Sequence, residues 1–286
     1  MIKNAEYNMV GALKKLWKEG FEDEEKYMDL FFTKRFKPKN TYVYIKNNSP
    51  VSIAVVLNAS IYHNGIFLPA GYIYGVTTSQ TCRGKGFSSE IIKHINSIYP
   101  VTFLVPATEE LFYFYKELNF KPAFSLIEYE LYIDDQDKPG KNFTSEIISP
   151  QEYKNIRDSH FTDDGYVCWD TEAIDYAFAE NNLLGGSALK IQINDKKKSS
   201  GILLYRKNKD RLFILETTLP LPALEKTVSV LMKQHGVNSC CVRLPPDSNT
   251  ITALNELTCL YAEPRPYGLL HSNTVIKNGY CNLTLD

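Results

Sequence analysis

No C-x-x-C pair occurs in this sequence. Its six cysteines (Cys82, Cys168, Cys240, Cys241, Cys259 and Cys281) stand apart from any histidine at zinc-ligand spacing. No metal site is therefore expected, and free thiols in a reducing compartment are. The polar start Met1-Ile2-Lys3-Asn4-Ala5-Glu6 has no apolar h-region, so no secretory leader is expected. No apolar run reaches membrane-spanning length. A net charge of −1 supplies no field for nucleic acid or an anionic bilayer. The string G-x-x-x-x-G-K-[ST] is missing, which excludes a Walker loop. What remains is a cytoplasmic protein with small-molecule partners, and no nucleic acid or membrane among them.

The composition belongs to folded chains. Hydrophobic residues make up 44%, charged residues 23%, and 19 Tyr and 15 Phe argue against disorder. At 286 residues the chain is long enough for two domains. Met9, Leu13, Leu16 and Trp17 fall at helical spacing, and a second helix is predicted over 23–34, opening on acidic residues. The period then changes to two. Strands are predicted over Thr41–Lys46, Val51–Ser60 and Ile66–Val76, the last two joined through His63-Asn64-Gly65, a strong hairpin signal. Phe87, Ile91, Ile95 and Ile98 mark a third helix. Val101–Val105 reads as a buried strand, and Thr108 as the cap of a helix through Leu118. Asn119 stands where a left-handed residue is needed, and Phe120–Ile133 alternates like a strand. The polar run over 135–144 reads as a linker. Helices are then predicted near 150–160, 171–182 and 222–235. Strands are predicted near 187–193, 201–206, 211–217, 239–244, 265–272 and 280–285. This order resembles the first half and suggests a diverged duplication.

Arg83-Gly84-Lys85-Gly86-Phe87-Ser88 lies between a strand and a helix. Its glycines admit positive φ and close backbone approach. The free N–H groups of a helix start, with Arg83 and Lys85, suit a diphosphate. Each charge-assisted bond there contributes roughly 1.5–3 kcal/mol, against the roughly 8 kcal/mol of a micromolar ligand. A Rossmann fingerprint would need its glycines directly after a first parallel strand, and Ser89 stands where its third glycine belongs. Coenzyme A and a nucleotide remain as candidate ligands.

Val76-Thr77-Thr78-Ser79-Gln80-Thr81-Cys82-Arg83-Gly84-Lys85-Gly86-Phe87-Ser88 resembles motif A of the GNAT acetyltransferases, [RQ]-x-x-G-x-[GA]. The match falls on Arg83, Gly86 and Ser88, with Ser in place of the usual Gly or Ala. Downstream, Tyr115, Asn119 and Phe120 resemble the family's Y-x-x-x-G-F helix end, with Asn for Gly. These motifs cover roughly residues 41–130. The whole chain is similar to the tandem-GNAT acetyltransferases related to the enhanced intracellular survival protein. Leu16-Trp17 and the ending Gly279–Asp286 fit them, and that family's third, sterol-carrier-like domain is not expected here. The resemblance implies an α/β (α+β) fold of two GNAT-like domains in tandem, each a mixed, mostly antiparallel sheet flanked by helices. Residues 1–134 would hold acetyl-CoA, and a degenerate unit over 145–286 would help to form the acceptor pocket.

The same resemblance implies direct transfer of an acetyl group to a primary amine, carried by a small molecule or a peptide, in a ternary complex. The N–H of Val76 would polarise the acyl carbonyl, Thr78 would pair with the pantetheine arm, and Tyr115 would be the general acid. Val76, Thr77, Thr78, Arg83, Gly84, Lys85, Gly86, Phe87 and Ser88 would bind the cofactor. Deprotonating an alkyl ammonium of pKa ~10.4 at pH 7 costs about 4.6 kcal/mol, yet Pro69–Tyr74, where some relatives carry a glutamate base, contains no acid. A water chain and the terminal carboxylate of Asp286 are the alternatives. That gap keeps a non-catalytic acyl-CoA sensor as a second reading. Asp163, Asp164, Tyr166 and Trp169 form an acidic and aromatic cluster for a cationic acceptor, with a solvated cap and a core tryptophan as the ordinary alternative. Thr217–Glu225, the counterpart of the phosphate loop, has no glycine, and Pro220 and Pro222 lack N–H donors. One acetyl-CoA per chain is expected. A homo-oligomer is compatible with all of this.

Overall fold

The computed structural model describes residues 1–132, 143–194, 200–258 and 262–283. The first half runs β1 (Ile2–Asn4), α1 (Val10–Phe21), α2 (Glu25–Lys34), β2 (Thr41–Lys46), β3 (Ser49–His63) and β4 (Ile66–Thr78). It continues through α3 (Phe87–Ile98), β5 (Thr102–Leu104), α4 (Glu109–Lys116) and β6 (Lys121–Tyr132). The second half runs β7 (Phe143–Ile147), α5 (Pro150–His160), β8 (Val167–Trp169), α6 (Thr171–Leu183), β9 (Ser187–Ile193) and β10 (Ser200–Asn208). Then come β11 (Arg211–Thr217), α7 (Leu221–His235), β12 (Ser239–Leu244), α8 (Ser248–Thr258) and β13 (Arg265–His271). Apart from β8, the second half repeats the first in element order, from β1 matching β7 to β6 matching β13. The pairing repeats too. β4 and β5 are parallel, as are β11 and β12, and the other hairpins are antiparallel.

The repeat breaks at the last strand of each half. β5 pairs with β13, β12 pairs with β6, and β6 and β13 pair with each other. Each unit thus finishes on the other half's final strand, and one continuous sheet runs through both. Residues 145–286, separate from 1–134 in sequence, therefore place a strand inside the first half's sheet.

Alternation along the strands builds two layers of core. Ile53, Val55 and Leu57 of β3 join Leu13, Trp17 and Phe31 of α1 and α2 and Tyr153, Ile174 and Tyr176 of α5 and α6. Ala54 and Val56, on the opposite face, meet Ile91, Ile92 and Ile95 of α3 and Tyr115 of α4. On β10, Ile202 and Leu204 share the first core, whereas Leu203 and Tyr205 pack under α7. The central strands are buried on both sides and so read as continuous apolar runs. Positive φ at Asn47, Asn48, Asn64 and Gly65 gives both hairpins their tight turns, and Asn119 is left-handed at φ 65.

Several expectations are corrected. Thr108 occupies the N-cap position of α4, but its side chain bonds no helix N–H; the backbone N–H of Glu110, and after it the Thr108 hydroxyl, hold the Glu110 carboxyl below its usual pKa. The strand near 280–285 does not form over its described part. The backbone–backbone hydrogen bonds of 279–280 are divided between two elements: Gly279 bonds Ala123 and Ser125 of β6, and the Tyr280 carbonyl accepts from Val167 of β8. The described residues also include β1, β7, β8 and α8, none of which the periodicity marked. Residues 133–142, most of the linker expected over 135–144, lie outside the described residues, and Phe143 and Thr144 belong to β7.

Candidate active site

The cofactor segment begins with a defect in β4. Ile53 pairs with Thr77 and Val55 with Tyr74, so Gly75 and Val76 together face Ala54. This is a β-bulge, and Gly75 takes the positive φ (+62) that it requires. The second of the two glycines in the strand, Gly71 and Gly75, was its sequence signal. The parallel ladder to β5 stops at Tyr72 and Phe103, while β4 continues to Thr78. Beyond Tyr72 the two strands have no mutual pairing, which leaves the main chain around Val76 free on the β5 side.

After β4 the chain makes a short 3-10 turn (Gln80–Cys82) and reaches Gly84 and Gly86, at φ +72 and +81. A Cβ on either glycine would meet nothing within 4 Å, so the space above the loop is open. Gly86 caps α3, whose first N–H groups have no intrahelical partner. Phe87 stacks on Tyr44 at 4.4 Å and anchors the helix start. Thr78 Oγ1 lies 2.9 Å from Ser52 Oγ. Lys85 Nζ donates to the Thr81 carbonyl at 2.8 Å. Arg83 points elsewhere, donating to the carbonyls of Thr78 and Glu19, both at 3.2 Å. Among the described residues, neither cation forms an ion pair. Loop, glycines and helix start together fit a diphosphate.

The end of α1 lies against this segment, which the sequence did not disclose. A Cβ on Gly20 would sit 2.1 Å from Thr77 Oγ1, and one on Gly75 would sit 2.4 Å from Cη2 of Trp17. The Gln80 N–H donates to Glu19 Oε2 at 3.1 Å. Such contacts need glycine on one surface, and only tertiary structure identifies the partner.

Tyr115 is buried in the core under α3 and α4, its ring 5.9 Å from Phe120. Burial pushes its hydroxyl pKa far above the ordinary value, so the phenol keeps its proton at any working pH. Phe112 packs against the same core, whereas Tyr113 is 70% exposed.

Of the acceptor residues expected in the second half, Asp163, Asp164 and Tyr166 line one cleft and Trp169 stands apart from it. Asp163 and Asp164 border a cleft of about 800 Å³ with Pro220, Pro222, Asp247 and Lys277. Asp164 Oδ1 accepts from the Asn64 N–H at 2.9 Å, at the far tip of the β3–β4 hairpin. From Ile66 to Val76 is ten residues, about 33 Å along the strand. Trp169 is core: its indole N–H donates to the Asn282 carbonyl at 2.7 Å and its ring abuts Tyr72 and Phe103. Asp286 lies outside the described residues.

The second unit keeps the bulge and fills it differently. Leu204 pairs with Glu216 and Tyr205 with Ile214, leaving Leu215 as the extra residue. Glu216, which corresponds to Thr77, is fully buried. It accepts from Arg157 Nε at 2.8 Å and from the Tyr153 and Tyr280 hydroxyls at 3.1 Å. Arg157, equally buried, also donates to the Tyr166 hydroxyl and, at 2.8 Å, to the Val167 carbonyl. Burial and the adjacent carboxylate push the pKa values of Tyr153 and Tyr280 well above the usual range.

Residues 2–123 match the family described as Acetyltransferase (GNAT) domain. No curated protein matches the chain in sequence. Three solved structures show the same fold over nearly its whole length. A probable N-acyltransferase of Enterococcus faecalis V583 has 16% identity and a TM-score of 0.72, covering 95% of this chain and 72% of that one. Eis1 of Mycobacterium abscessus has 9% identity and a TM-score of 0.68, with 95% and 73% covered. A GCN5-related N-acetyltransferase of Sphaerobacter thermophilus has 12% identity and a TM-score of 0.52, with 98% of each covered. Among the described residues, no helix is long and apolar enough to cross a membrane.

Proposed function

We propose, for a chain whose residues 2–123 match the acetyltransferase (GNAT) domain family, a cytoplasmic N-acetyltransferase that moves an acetyl group from acetyl-CoA to a primary amine within a ternary complex. The observation that carries this reading is the open glycine loop at the start of α3, its first glycine six residues beyond the end of a bulged strand that has separated from β5. Acetyl-CoA supplies the activated thioester. The N–H groups at Gly84, Gly86, Phe87 and Ser88 hold the diphosphate with Lys85, and Thr77 and Thr78 line the pantetheine arm. The N–H of Val76 faces the acyl carbonyl, where a fixed donor stabilises developing negative charge. Tyr115 gives its proton to the departing sulfur. The second half completes the acceptor pocket. Thiol release from acetyl-CoA with a panel of primary amines tests the reading; no release with any amine would overturn it. The missing acid on β4 supports a second reading, a non-catalytic acyl-CoA sensor, in which acetyl-CoA raises the melting temperature without turnover.

Tyr115→Phe is expected to lower kcat about 10²-fold, the usual contribution of a positioned acid, while acetyl-CoA affinity stays nearly intact. An unchanged kcat under chemistry-limited conditions would return Tyr115 to a packing role. Calorimetry should find one acetyl-CoA per chain. The connection Thr218-Leu219-Pro220 has no glycine, Pro222 offers no N–H, and the Ala223 N–H is already bonded to the Pro220 carbonyl. Two equivalent sites would refute the assignment.

A further inference from the structure

We infer that Arg83 is a positioning residue of the acyl-transfer centre and not a ligand of the diphosphate; the inference rests on the acetyl-CoA reading of the loop. The guanidinium uses two donors on two carbonyls. Nε reaches Thr78, at the end of β4, and Nη2 reaches Glu19, in the last turn of α1. The last four carbonyls of a helix have no intrahelical partner and carry the negative end of its dipole. In α1 the Lys18 carbonyl is taken by the Glu22 N–H, whereas the Glu19 carbonyl is taken by Arg83.

The tether holds more than one hydrogen bond in place. Around it, the end of α1 touches the catalytic strand repeatedly: Trp17 on Gly75, Gly20 on Thr77, and the Glu19 carboxylate on the Gln80 N–H. Val76 lies in the middle of these contacts. Arg83 therefore fixes α1 relative to the N–H that faces the acyl carbonyl. Diphosphate recognition falls to the N–H groups of Gly84–Ser88 and to Lys85. The fork reaches carbonyls on two separate elements from two different nitrogens, whereas a lysine presents all its donors from one atom at the end of a flexible stem, so charge and bridging are separable by substitution.

Arg83→Lys and Arg83→Gln are compared with the wild-type chain by three measurements: calorimetric CoA affinity, amide exchange at Gln80 and the last turn of α1, and kcat with the fastest amine of the panel. Both variants are expected to bind CoA within about twofold of wild type and to lose kcat about tenfold, as a displaced reacting centre does. Both should also exchange faster at Gln80 and Glu22, and Lys should not rescue Gln. A CoA affinity that falls about tenfold in Arg83→Gln and is restored by Arg83→Lys would overturn the inference in favour of a diphosphate contact. So would wild-type exchange and turnover in both variants. If the wild-type chain fails to bind CoA, the acetyl-CoA reading itself has failed, which the first measurement reveals before any variant is made.

Discussion

Glu216→Gln should lower the unfolding free energy by about 3–5 kcal/mol, the cost of leaving a buried charge without its partner. Arg157 is wholly inside the protein and depends on this carboxylate. An amide of the same shape keeps the volume and loses the charge. The hydroxyls of Tyr153 and Tyr280, now donating to Glu216, would have a weaker acceptor. The double variant Glu216→Leu with Arg157→Met should recover most of the loss, since well-packed apolar replacements of buried ion pairs are often neutral. Urea unfolding with an unchanged slope measures both. A single-variant loss below about 1 kcal/mol would show that Arg157 finds another counter-charge or water. The change lies in the second unit, so CoA affinity at the α3 loop should be unaffected in the folded fraction.

Gly86→Asp should weaken acetyl-CoA binding at least tenfold, about 1.4 kcal/mol. The new carboxylate and Cβ would occupy open space at the start of α3, where the first N–H groups await an anion. The native φ of +81 adds strain for any side chain, although aspartate tolerates it better than most. Melting temperature therefore has to be followed alongside calorimetry. Undiminished affinity in a folded variant would remove the diphosphate from this loop.

Local chemistry made the first half readable. Asn64-Gly65 fixed the long hairpin, the glycines of 84 and 86 the loop, and Asn119 the left-handed exit from α4, each because a short stretch of sequence demands a particular backbone. The helix α8 was missed because Ser248–Thr258 is rich in Thr and Asn, which are weak helix formers. Its signal was Asp247, which accepts from the Thr250 N–H at 2.9 Å. Two features were out of reach. Glu216 looks like a lone charge in an apolar strand until Arg157, 59 positions earlier, is brought beside it. The proximity of Glu19 and Gly20 to Gln80 and Thr77 is likewise a matter of how α1 lies on β4, and no periodicity encodes it. The aspartates at 163 and 164 were placed near the acceptor by chemistry alone, and the length of β4 separates them from Val76.

The exchange of β6 and β13 has a consequence for how the protein is made. A ribosome adds about 5–20 residues per second, and domains ordinarily fold in turn as they emerge. Here the partner that β5 requires, β13, begins at Arg265, more than 130 residues after β6 ends at Tyr132. For on the order of ten seconds at these elongation rates, the nascent first half carries Thr102–Leu104 as an open sheet edge, with β6 lacking both of its eventual neighbours. Unpaired edges of this kind are templates for association with other chains. Neither half has a finished sheet until β13 has been made. The yield of native protein should accordingly be sensitive to chaperone supply and to premature termination anywhere before His271.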